Sequence, residues 1–436
     1  MATLDADLQA AYAFTFPYFE MARTRHFATS LPANPRAGRL NTLGHRRTLS
    51  DHKARAVTTP NNDTLYSSAW LDLSTGPLEL TIPPMANRYW SAQFMAMNTS
   101  TAAVVGSRNA GEGNMRLWIL HEDDTRPAPA GARLVRLPTR DAWLLVRIVV
   151  DGAQDLPAVQ ELQNGLQLRS VATDGPFPAT RVTPVQAVPD PVLGSPVSGE
   201  NYLAVVNEML TRNPVPEPEK DRLASWARWG VGVTKTSLEQ AATFHAQLSP
   251  QLPALNLSLR NTPGLFAGGK TVQNWSYPDA AIGVFGANYA LRAGVALSGL
   301  GALPPEEAIY LGRTQDDQGQ NLEGRRSYRL RIPAQGIPTL AFWSLSMYQV
   351  EADGRQFFVD NPINRYAVGD RTRGLAKNAD GSTDILIQHA LPANSALQGN
   401  WLPAPQGPFR LSLRAYLPTP ELARGEAQLP TLVRQD

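Results

Sequence analysis

Apolar and polar residues alternate along several short stretches in the first third of the chain, and turn residues separate these stretches. The stretches are residues 70–73, 78–82, 89–95, 117–120 and 143–150. Alternation with a period of two is typical of β-strands that bury one face. Their close spacing predicts a β-sandwich or a jelly roll.

The hydrophobic period changes in the middle of the chain. Tyr202, Val205, Val206 and Met209 recur at helical spacing behind Ser198, a candidate N-cap. After residue 304 strand-like stretches return, at 328–332, 341–348, 384–388 and 409–416. Near the N-terminus, residues 4–22 have the composition of a helix that we expect to break at Pro17.

These patterns predict a mainly β protein with a helical insertion. We expect two β-sandwich or jelly-roll-like domains joined by an α-helical segment. The predicted divisions are an N-terminal helical or irregular segment at 1–39, a β-domain at 40–171, a linker and helical segment at 172–304, and a second β-domain at 305–436. Residues 172–197 are rich in Pro and Val and are interpreted as the linker.

The two β regions share motifs in the same order, which favours an internal duplication. Leu80-Thr-Ile-Pro83 and Trp90-Ser91 correspond to Leu330-Arg-Ile-Pro333 and Trp343-Ser344, and Leu144-Leu-Val-Arg147 corresponds to Leu411-Ser-Leu-Arg414. The alternative is that any β-domain uses such residues in its strands. Two copies of one unit can form a cleft at their junction, where ligands often bind.

Composition narrows the class of protein. The 436 residues carry a net charge of +2 without basic clusters, which argues against a nucleic-acid partner. The sequence contains no run of about 18 apolar residues, so no membrane span is predicted. The N-terminus lacks a signal peptide, so we expect a cytoplasmic protein, or a periplasmic one if a leader has been removed. A homo-oligomer is left open.

The densest group of polar side chains follows Pro60. Asn61, Asn62 and Asp63 are consecutive, and Tyr66 lies three residues further on. A turn explains one or two of these residues. The functional hypothesis makes Asp63, Tyr66 and His45 an acid–base set, with Asn61 and Asn62 binding the ligand.

A second polar group lies in the C-terminal β region, in the motif Asn361-Pro-Ile-Asn364-Arg365-Tyr366. Arg365 is a candidate for binding a carboxylate through two parallel hydrogen bonds, although an ion pair with a neighbouring Asp explains it equally. Tyr348 is a further candidate ligand-binding residue. We predict that both polar groups face one cavity.

Metal and cofactor sites are not predicted. The chain has no cysteine and no HExxH motif, and the Asp380-Gly381 dipeptide is better explained as a hairpin turn than as part of a calcium loop. No phosphate-binding glycine motif and no nucleophile elbow are present. The expected partner is therefore a small molecule.

Long motifs in both β regions resemble known families. In the first region they are His45-Arg-Arg, Thr59-Pro-Asn-Asn-Asp-Thr-Leu-Tyr66 and Trp143-Leu-Leu-Val-Arg147; in the second they are Phe342-Trp-Ser-Leu-Ser-Met-Tyr348, Asn361-Pro-Ile-Asn-Arg-Tyr366 and Asn400-Trp-Leu-Pro-Ala-Pro405. Residues from about 40 to 160 resemble the bacterial domain-of-unknown-function family 1254, and residues from about 305 to 420 resemble family 1214. The resemblance implies the paired β architecture and supplies no reaction.

Two functions remain open at this point. One is a cofactor-independent enzyme that acts by acid–base chemistry on a small polar or aromatic metabolite held between the two β-domains. The other is a non-catalytic binding protein for a glycan, a lipid or a protein partner. The density of polar residues in two separate motifs favours the enzyme.

Overall fold

The computed structural model describes residues 4–29, 40–55, 58–85, 87–111, 113–171, 184–186, 196–262, 265, 269–351 and 355–435. Most of the predicted linker at 172–197 lies outside these described residues.

A helix, a β-domain and a short second helix form the first part of the chain. Their bounds are α1 (Ala6–Thr29), β1 (Gly44–His45), β2 (Thr64–Asp72), β3 (Leu78–Ile82), β4 (Trp90–Ala96), β5 (Thr101–Gly106), β6 (Met115–His121), β7 (Arg133–Leu137), β8 (Asp141–Val149), α2 (Leu156–Asn164) and β9 (Gln167–Ser170).

The middle of the chain is mainly helical. Its elements are α3 (Gly199–Arg212), α4 (Glu217–Ser225), α5 (Leu238–Leu248), α6 (Leu252–Arg260), β10 (Thr271–Val272), β11 (Trp275–Ser276) and α7 (Tyr289–Ser298). Ser198 caps α3 through the backbone N–H of Asn201, as its position in the sequence predicts.

The last part returns to strands. Its elements are β12 (Ala308–Arg313), β13 (Tyr328–Ile332), β14 (Thr339–Val350), β15 (Gln356–Phe357), β16 (Ala367–Gly369), β17 (Thr383–Gln388), β18 (Trp401–Pro403), β19 (Phe409–Pro418), α8 (Pro420–Arg424) and β20 (Thr431–Arg434). The predicted mainly β fold, with two β-domains and a helical region between them, is confirmed.

Each β-domain is a sandwich of two sheets around its own apolar core. In the first domain a sheet of order β1-β2-β8-β4-β5 packs on a sheet of order β7-β6-β3-β9. In the second, a sheet containing β10-β11-β12-β19-β14-β15, with β16 also on β14, packs on β18-β17-β13-β20. The strands β10 and β11 thus join the second sandwich although they precede residue 304.

Four strands of the larger sheet have the same order and the same register in both sandwiches. The matched rows are Tyr66, Arg147, Ser91 and Gly106 across β2-β8-β4-β5, and Tyr310, Arg414, Ser344 and Gly369 across β12-β19-β14-β16. A shift of one residue in either sheet would turn every side chain of that strand to the other face, so the identical register is a specific feature. The sequence motifs therefore repeat one structural unit.

The helices pack beside the two sandwiches around a third apolar core. Helix α1 contacts α3 and α7, and its residues contribute most of the aromatic rings in this core. The expected break at Pro17 is wrong, because α1 continues through Pro17 to Thr29. Burial of nearly every side chain from Ala11 to Ala22 offsets the cost of a proline inside a helix, which is about 3 kcal/mol.

None of the helices in the described part of the chain combines the length and the apolar character needed to cross a membrane.

Candidate functional site

A cavity of about 550 Å³ lies where the two sandwiches meet the helices. Its wall is built from α1, β2 and β8 of the first part of the chain, from residues 296–302 at the end of α7, and from β12 and β19 of the second sandwich. Its volume falls within the usual range of small-molecule sites.

One wall of the cavity is a grid of side chains on the neighbouring strands β2 and β8. The three cross-strand pairs are Tyr66 with Arg147, Ser68 with Leu145, and Trp70 with Trp143. Alternate residues of a strand point to the same face, so all six side chains share this wall. The grid runs from a cationic end to an aromatic end.

Trp143 is held in one orientation at the aromatic end. Its ring stacks on Trp70 with centroids 5.1 Å apart and planes 5° apart, and its Nε1 donates a 2.8 Å hydrogen bond to Ser68 Oγ. Trp70 is buried, whereas Trp143 keeps part of its surface exposed. The pair forms a rigid apolar platform at one end of the cavity.

Arg147 occupies the cationic end of the same wall and is only 4% exposed. Its Nη1 donates to Gln93 Oε1 at 2.9 Å, and its Nη2 donates to the carbonyl of Gly301. The guanidinium carbon lies 5.3 Å from the centre of the Tyr66 ring. These contacts fix the guanidinium in the cavity wall without neutralising its charge.

Arg414 is the matched arginine of the second sandwich and is also 4% exposed. Its Nη1 donates to Ser346 Oγ at 2.8 Å, and its Nη2 donates to the carbonyl of Thr59 at 3.1 Å. Each arginine thus bonds a side chain of its own sheet and a carbonyl from a loop outside its own sandwich. Tyr310, the neighbour of Arg414 across the strands, lines the same cavity.

The cavity carries a marked excess of positive charge. Among the described lining residues are six arginines and a single acidic residue, Glu20, which pairs with Arg23. Neither Arg147 nor Arg414 forms an ion pair with a carboxylate in the described part of the chain. Buried charges of this kind need an opposite charge or several hydrogen bonds.

Two phenols beside the arginines remain neutral at ordinary pH. Burial raises the pKa of Tyr416 far above its ordinary value, and the charge of Asp63 raises it further. Burial also raises the pKa of Tyr310, although the charge of Arg147 acts in the opposite direction. Both residues therefore act as neutral hydrogen-bonding groups in the cavity wall.

The residues of the polar cluster after Pro60 lie in two places, the cavity and the boundary between the two domains. Asn61 lines the cavity and donates a 2.7 Å hydrogen bond to the hydroxyl of Tyr416, while its Oδ1 accepts from the backbone N–H of Asp63. Asn62 is not among the lining residues, and its amide donates to the carbonyl of Ser50.

Asp63 is buried outside the cavity lining and faces the second sandwich. Ser344 Oγ donates to its Oδ2 at 2.6 Å, and Arg371 Nη2 lies 3.5 Å from its Oδ1. The matched residue of the second sandwich is Glu307, which also stands one residue before its strand. Glu307 accepts from Arg108 Nε at 3.0 Å and lies across the same boundary.

These two ion pairs are reciprocal. Arg108 lies two residues after Gly106, and Arg371 lies two residues after the matched Gly369. Each arginine pairs with the carboxylate of the other domain. The duplicated units therefore join in a pseudo-two-fold manner. The carboxylate of Asp63 is therefore explained by its ion pair across the domain boundary.

His45 lies on β1, opposite Ser67, and its Nδ1 is 2.8 Å from Ser67 Oγ. It is not among the residues that line the cavity. Of the three residues predicted as an acid–base set, Tyr66 alone lines this cavity.

None of the candidates from the C-terminal cluster lines this cavity. Arg365 Nη1 donates to the carbonyls of Gly399 and Trp401, and Asn361 bonds the backbone of Arg365 in both directions. Asn364 adopts a positive φ of 49° and accepts a hydrogen bond from Tyr366.

Two of the candidate ligand-binding residues, Tyr348 and Tyr366, instead contact the segment before β2. The hydroxyl of Tyr348 donates to the carbonyl of Pro60 at 2.7 Å, and the hydroxyl of Tyr366 lies 2.8 Å from His52 Nδ1. These contacts join the loop before β2 to the second sandwich.

The residues that dominate the cavity were not among the predicted ones. Arg147, Arg414 and Trp143 all stand in stretches that the sequence predicted as β-strands. A signal was present, because Arg147 and Arg414 end the same repeated apolar motif. The two arginines hold the same register position in two buried strands, so the repeat already identifies them as equivalent residues.

In the described part of the chain, no group of three or more His, Asp or Glu side chains is arranged to hold a metal ion.

Comparison with known proteins agrees with the motifs. Residues 40–170 match the family model DUF1254, and residues 307–420 match DUF1214; both are described as proteins of unknown function. No curated protein matches the chain.

Solved structures similar to this chain include the following two. The VPA0106 protein from Vibrio parahaemolyticus shares 23% identity over 99% of both chains, with a TM-score of 0.70. A putative uncharacterised protein from Burkholderia cenocepacia shares 14% identity over 99% of this chain and 91% of that one, with a TM-score of 0.47. The first of these likenesses supports the fold. The chain thus carries a DUF1254 region followed by a DUF1214 region, in the order that its sequence motifs predicted.

Proposed function

We propose that the protein binds a small organic anion with an apolar body in the cavity between its two sandwiches. The observation that carries this proposal is the pair of matched, buried arginines, Arg147 and Arg414, which line one cavity without a carboxylate partner in the described part of the chain. The anionic group of the ligand completes this charge arrangement.

The electrostatic reason is the cost of a buried charge. An arginine removed from water loses hydration, and neutral hydrogen bonds replace only part of it. In Arg147, the Nε donates to no described group. A carboxylate matches the guanidinium geometry and forms charge-assisted hydrogen bonds, which are roughly twice as strong as neutral ones.

The remaining arginines of the wall support an anionic ligand as well. Arg46, Arg55 and Arg355 lie toward the loops beside the cavity, and Arg55 and Arg355 both pair with Glu351. Like charges that line a cleft raise the local concentration of an anion and speed its association. We therefore expect the affinity for an anion to fall as ionic strength rises.

Titration calorimetry with octanoate and octan-1-ol tests the proposal. We expect the protein to bind octanoate and to prefer it to octan-1-ol. Arg147→Gln and Arg414→Gln should each weaken octanoate binding about ten-fold or more, since a hydrogen bond to a charged group contributes about 1.5–3 kcal/mol. Arg331→Gln is the matched control, because Arg331 pairs with Asp384 outside the cavity.

Equal affinity for octanoate in the protein and in both cavity variants would overturn the proposal. So would equal binding of octanoate and octan-1-ol.

Tyr66 supports a second candidate function, acid–base catalysis on the bound anion. Its hydroxyl forms no hydrogen bond with a described residue, its ring lies beside Arg147, and the residue lines the cavity. Neither Asp63 nor His45 lines the cavity beside it, so this candidate rests on a single group. Tyr66→Phe should abolish turnover of a converted carboxylate but leave its binding within about three-fold; unchanged turnover would exclude the catalytic role.

A further inference from the structure

We infer that the ligand is an elongated arylalkyl carboxylate, with its carboxylate at Arg147 and its aromatic ring at Trp143. This inference rests on the proposed function and specifies the class of molecule. It follows from the arrangement of charge and aromatic surface along one wall of the cavity.

The separation of the two ends is set by a single strand. Trp143 and Arg147 are four residues apart on β8 and therefore point to the same face. At about 3.3 Å per residue their backbones are about 13 Å apart. A compact aromatic acid such as benzoate is much shorter than this separation.

The region between the two ends is largely apolar. Leu145 lies between Trp143 and Arg147 on β8, with Ser68 beside it. Other lining residues of the cavity are Leu265 and the apolar part of 296–302, with Ala296, Leu297 and Leu300. A methylene chain fits this middle section, whereas a polar linker would lose hydration there.

The aromatic end is prepared for a planar group. Trp70 and Ser68 hold the Trp143 ring in place before any ligand binds, so stacking a second ring costs little side-chain entropy. Saturated rings or alkyl chains can also contact an indole, but they lack the geometry of an aromatic pair.

The second sandwich lacks this platform, which gives the ligand one orientation. In the matched register, the position of Trp143 corresponds to Arg410, which does not line the cavity. The duplicated sheets thus share the arginine but not the aromatic end. A ligand with two different ends suits a cavity whose two halves differ in this way.

Four probes separate the contributions of charge, ring and length. They are 8-phenyloctanoate, 8-cyclohexyloctanoate, 3-phenylpropionate and 8-phenyloctan-1-ol. The first two share charge, chain and ring size and differ in aromaticity. We expect the phenyl acid to bind about five-fold tighter than the cyclohexyl acid, as the value of an aromatic pair implies. The short acid should bind more weakly than either.

Variants then assign the preference to Trp143. Trp143→Leu should remove the five-fold preference for the phenyl acid. Trp143→Phe keeps an aromatic ring and should retain most of the preference, so it controls for a general loss of folding. Arg147→Gln should weaken both long acids by the same factor. Circular dichroism and the thermal midpoint verify that each variant is folded.

The results test the arylalkyl ligand class separately from the proposed binding of a carboxylate. If the phenyl and cyclohexyl acids bind equally, or if Trp143→Leu keeps the preference, the arylalkyl assignment is overturned while carboxylate binding stands. If no carboxylate binds, or if 8-phenyloctan-1-ol binds as tightly as the acid, the proposed function itself is overturned.

Discussion

At the scale of single residues, Asp63 and Glu307 occupy matched positions and pair with matched arginines. Asp63 lies 3.5 Å from Arg371, and Glu307 lies 3.0 Å from Arg108. Both carboxylates are buried, whereas the arginines retain contact with solvent. Their shared geometry assigns them to the joining of the two domains.

Asp63→Asn distinguishes this structural role from the predicted role as a general base. The change removes the charge that faces Arg371, so we expect a loss of about 1–3 kcal/mol in the free energy of unfolding. Octanoate affinity should change by less than about two-fold, since Asp63 does not line the cavity. Asp221→Asn, at an exposed position of α4, is the control. Unchanged stability with lost binding would instead support a role of Asp63 in the site.

Glu307 should make stability depend on pH. Burial raises the pKa of its carboxyl above the ordinary value of 4.5, against the opposing hydrogen bonds from Arg108 and Tyr89. The folded chain therefore holds this proton more tightly than the unfolded chain. The contribution is full below about pH 4.5 and is lost as pH rises through the folded pKa.

Urea unfolding between pH 4 and pH 7 measures this effect. We expect the unfolding free energy to rise more, or fall less, from pH 4 to pH 7 in Glu307→Gln than in the unaltered protein. An identical slope in both proteins would contradict the raised pKa.

At the scale of elements, the duplicated sheets make paired substitutions informative. Trp90 and Trp343 hold the same place in β4 and β14, and each is 6% exposed. Replacing either residue with alanine should cost about 3–5 kcal/mol, because both indoles fill sandwich cores. Chemical denaturation of the two variants measures these losses, and a small loss in either would deny the equivalence.

The matched glycines test how closely neighbouring strands approach. A Cβ at Gly106 would lie 2.3 Å from the carbonyl oxygen of Trp90, and one at Gly369 would lie 2.3 Å from that of Trp343. Backbone atoms cannot move aside as a flexible side chain does. Gly106→Ala and Gly369→Ala should therefore each cost about 1–3 kcal/mol.

Gly111→Ala and Gly407→Ala are controls in the same two domains, because an added Cβ there meets no atom within 4 Å. Equal decreases of the thermal midpoint in all four variants would show that Gly106 and Gly369 are not needed for the close approach of neighbouring strands.

At the scale of the whole molecule, the two sandwiches share a buried boundary. Tyr89 of the first domain contacts Phe342 and Tyr416 of the second, with ring centroids 5.5 and 5.0 Å apart. Residues of α7 complete this apolar cluster. A continuous core of this kind couples the stability of the parts it joins.

We therefore expect the protein to unfold in a single calorimetric transition. Arg108→Gln combined with Arg371→Gln removes both reciprocal ion pairs and should lower the thermal midpoint or divide the transition into two. Two well-separated transitions in the unaltered protein would show that the boundary does not couple the domains.

The β-sandwich class, the central helical region and the repeated order of motifs could all be predicted from the amino-acid sequence. These features are local, because strand periodicity, turn residues and the Ser198 cap act over a few neighbouring residues. Repetition of Trp90-Ser91 as Trp343-Ser344 also showed which strands correspond. The helical pattern around Pro17 was ambiguous, because packing on α3 and α7 outweighs a local break.

Which polar residues share a site depends on contacts between distant parts of the chain. Asp63 and Arg365 look equally suited to chemistry in sequence, yet one faces Ser344 across the domain boundary and the other bonds Gly399 and Trp401. Arg147 and Arg414 lie 267 positions apart in the chain. They line one cavity because the tertiary fold brings β8 and β19 together, a relation that no local pattern encodes.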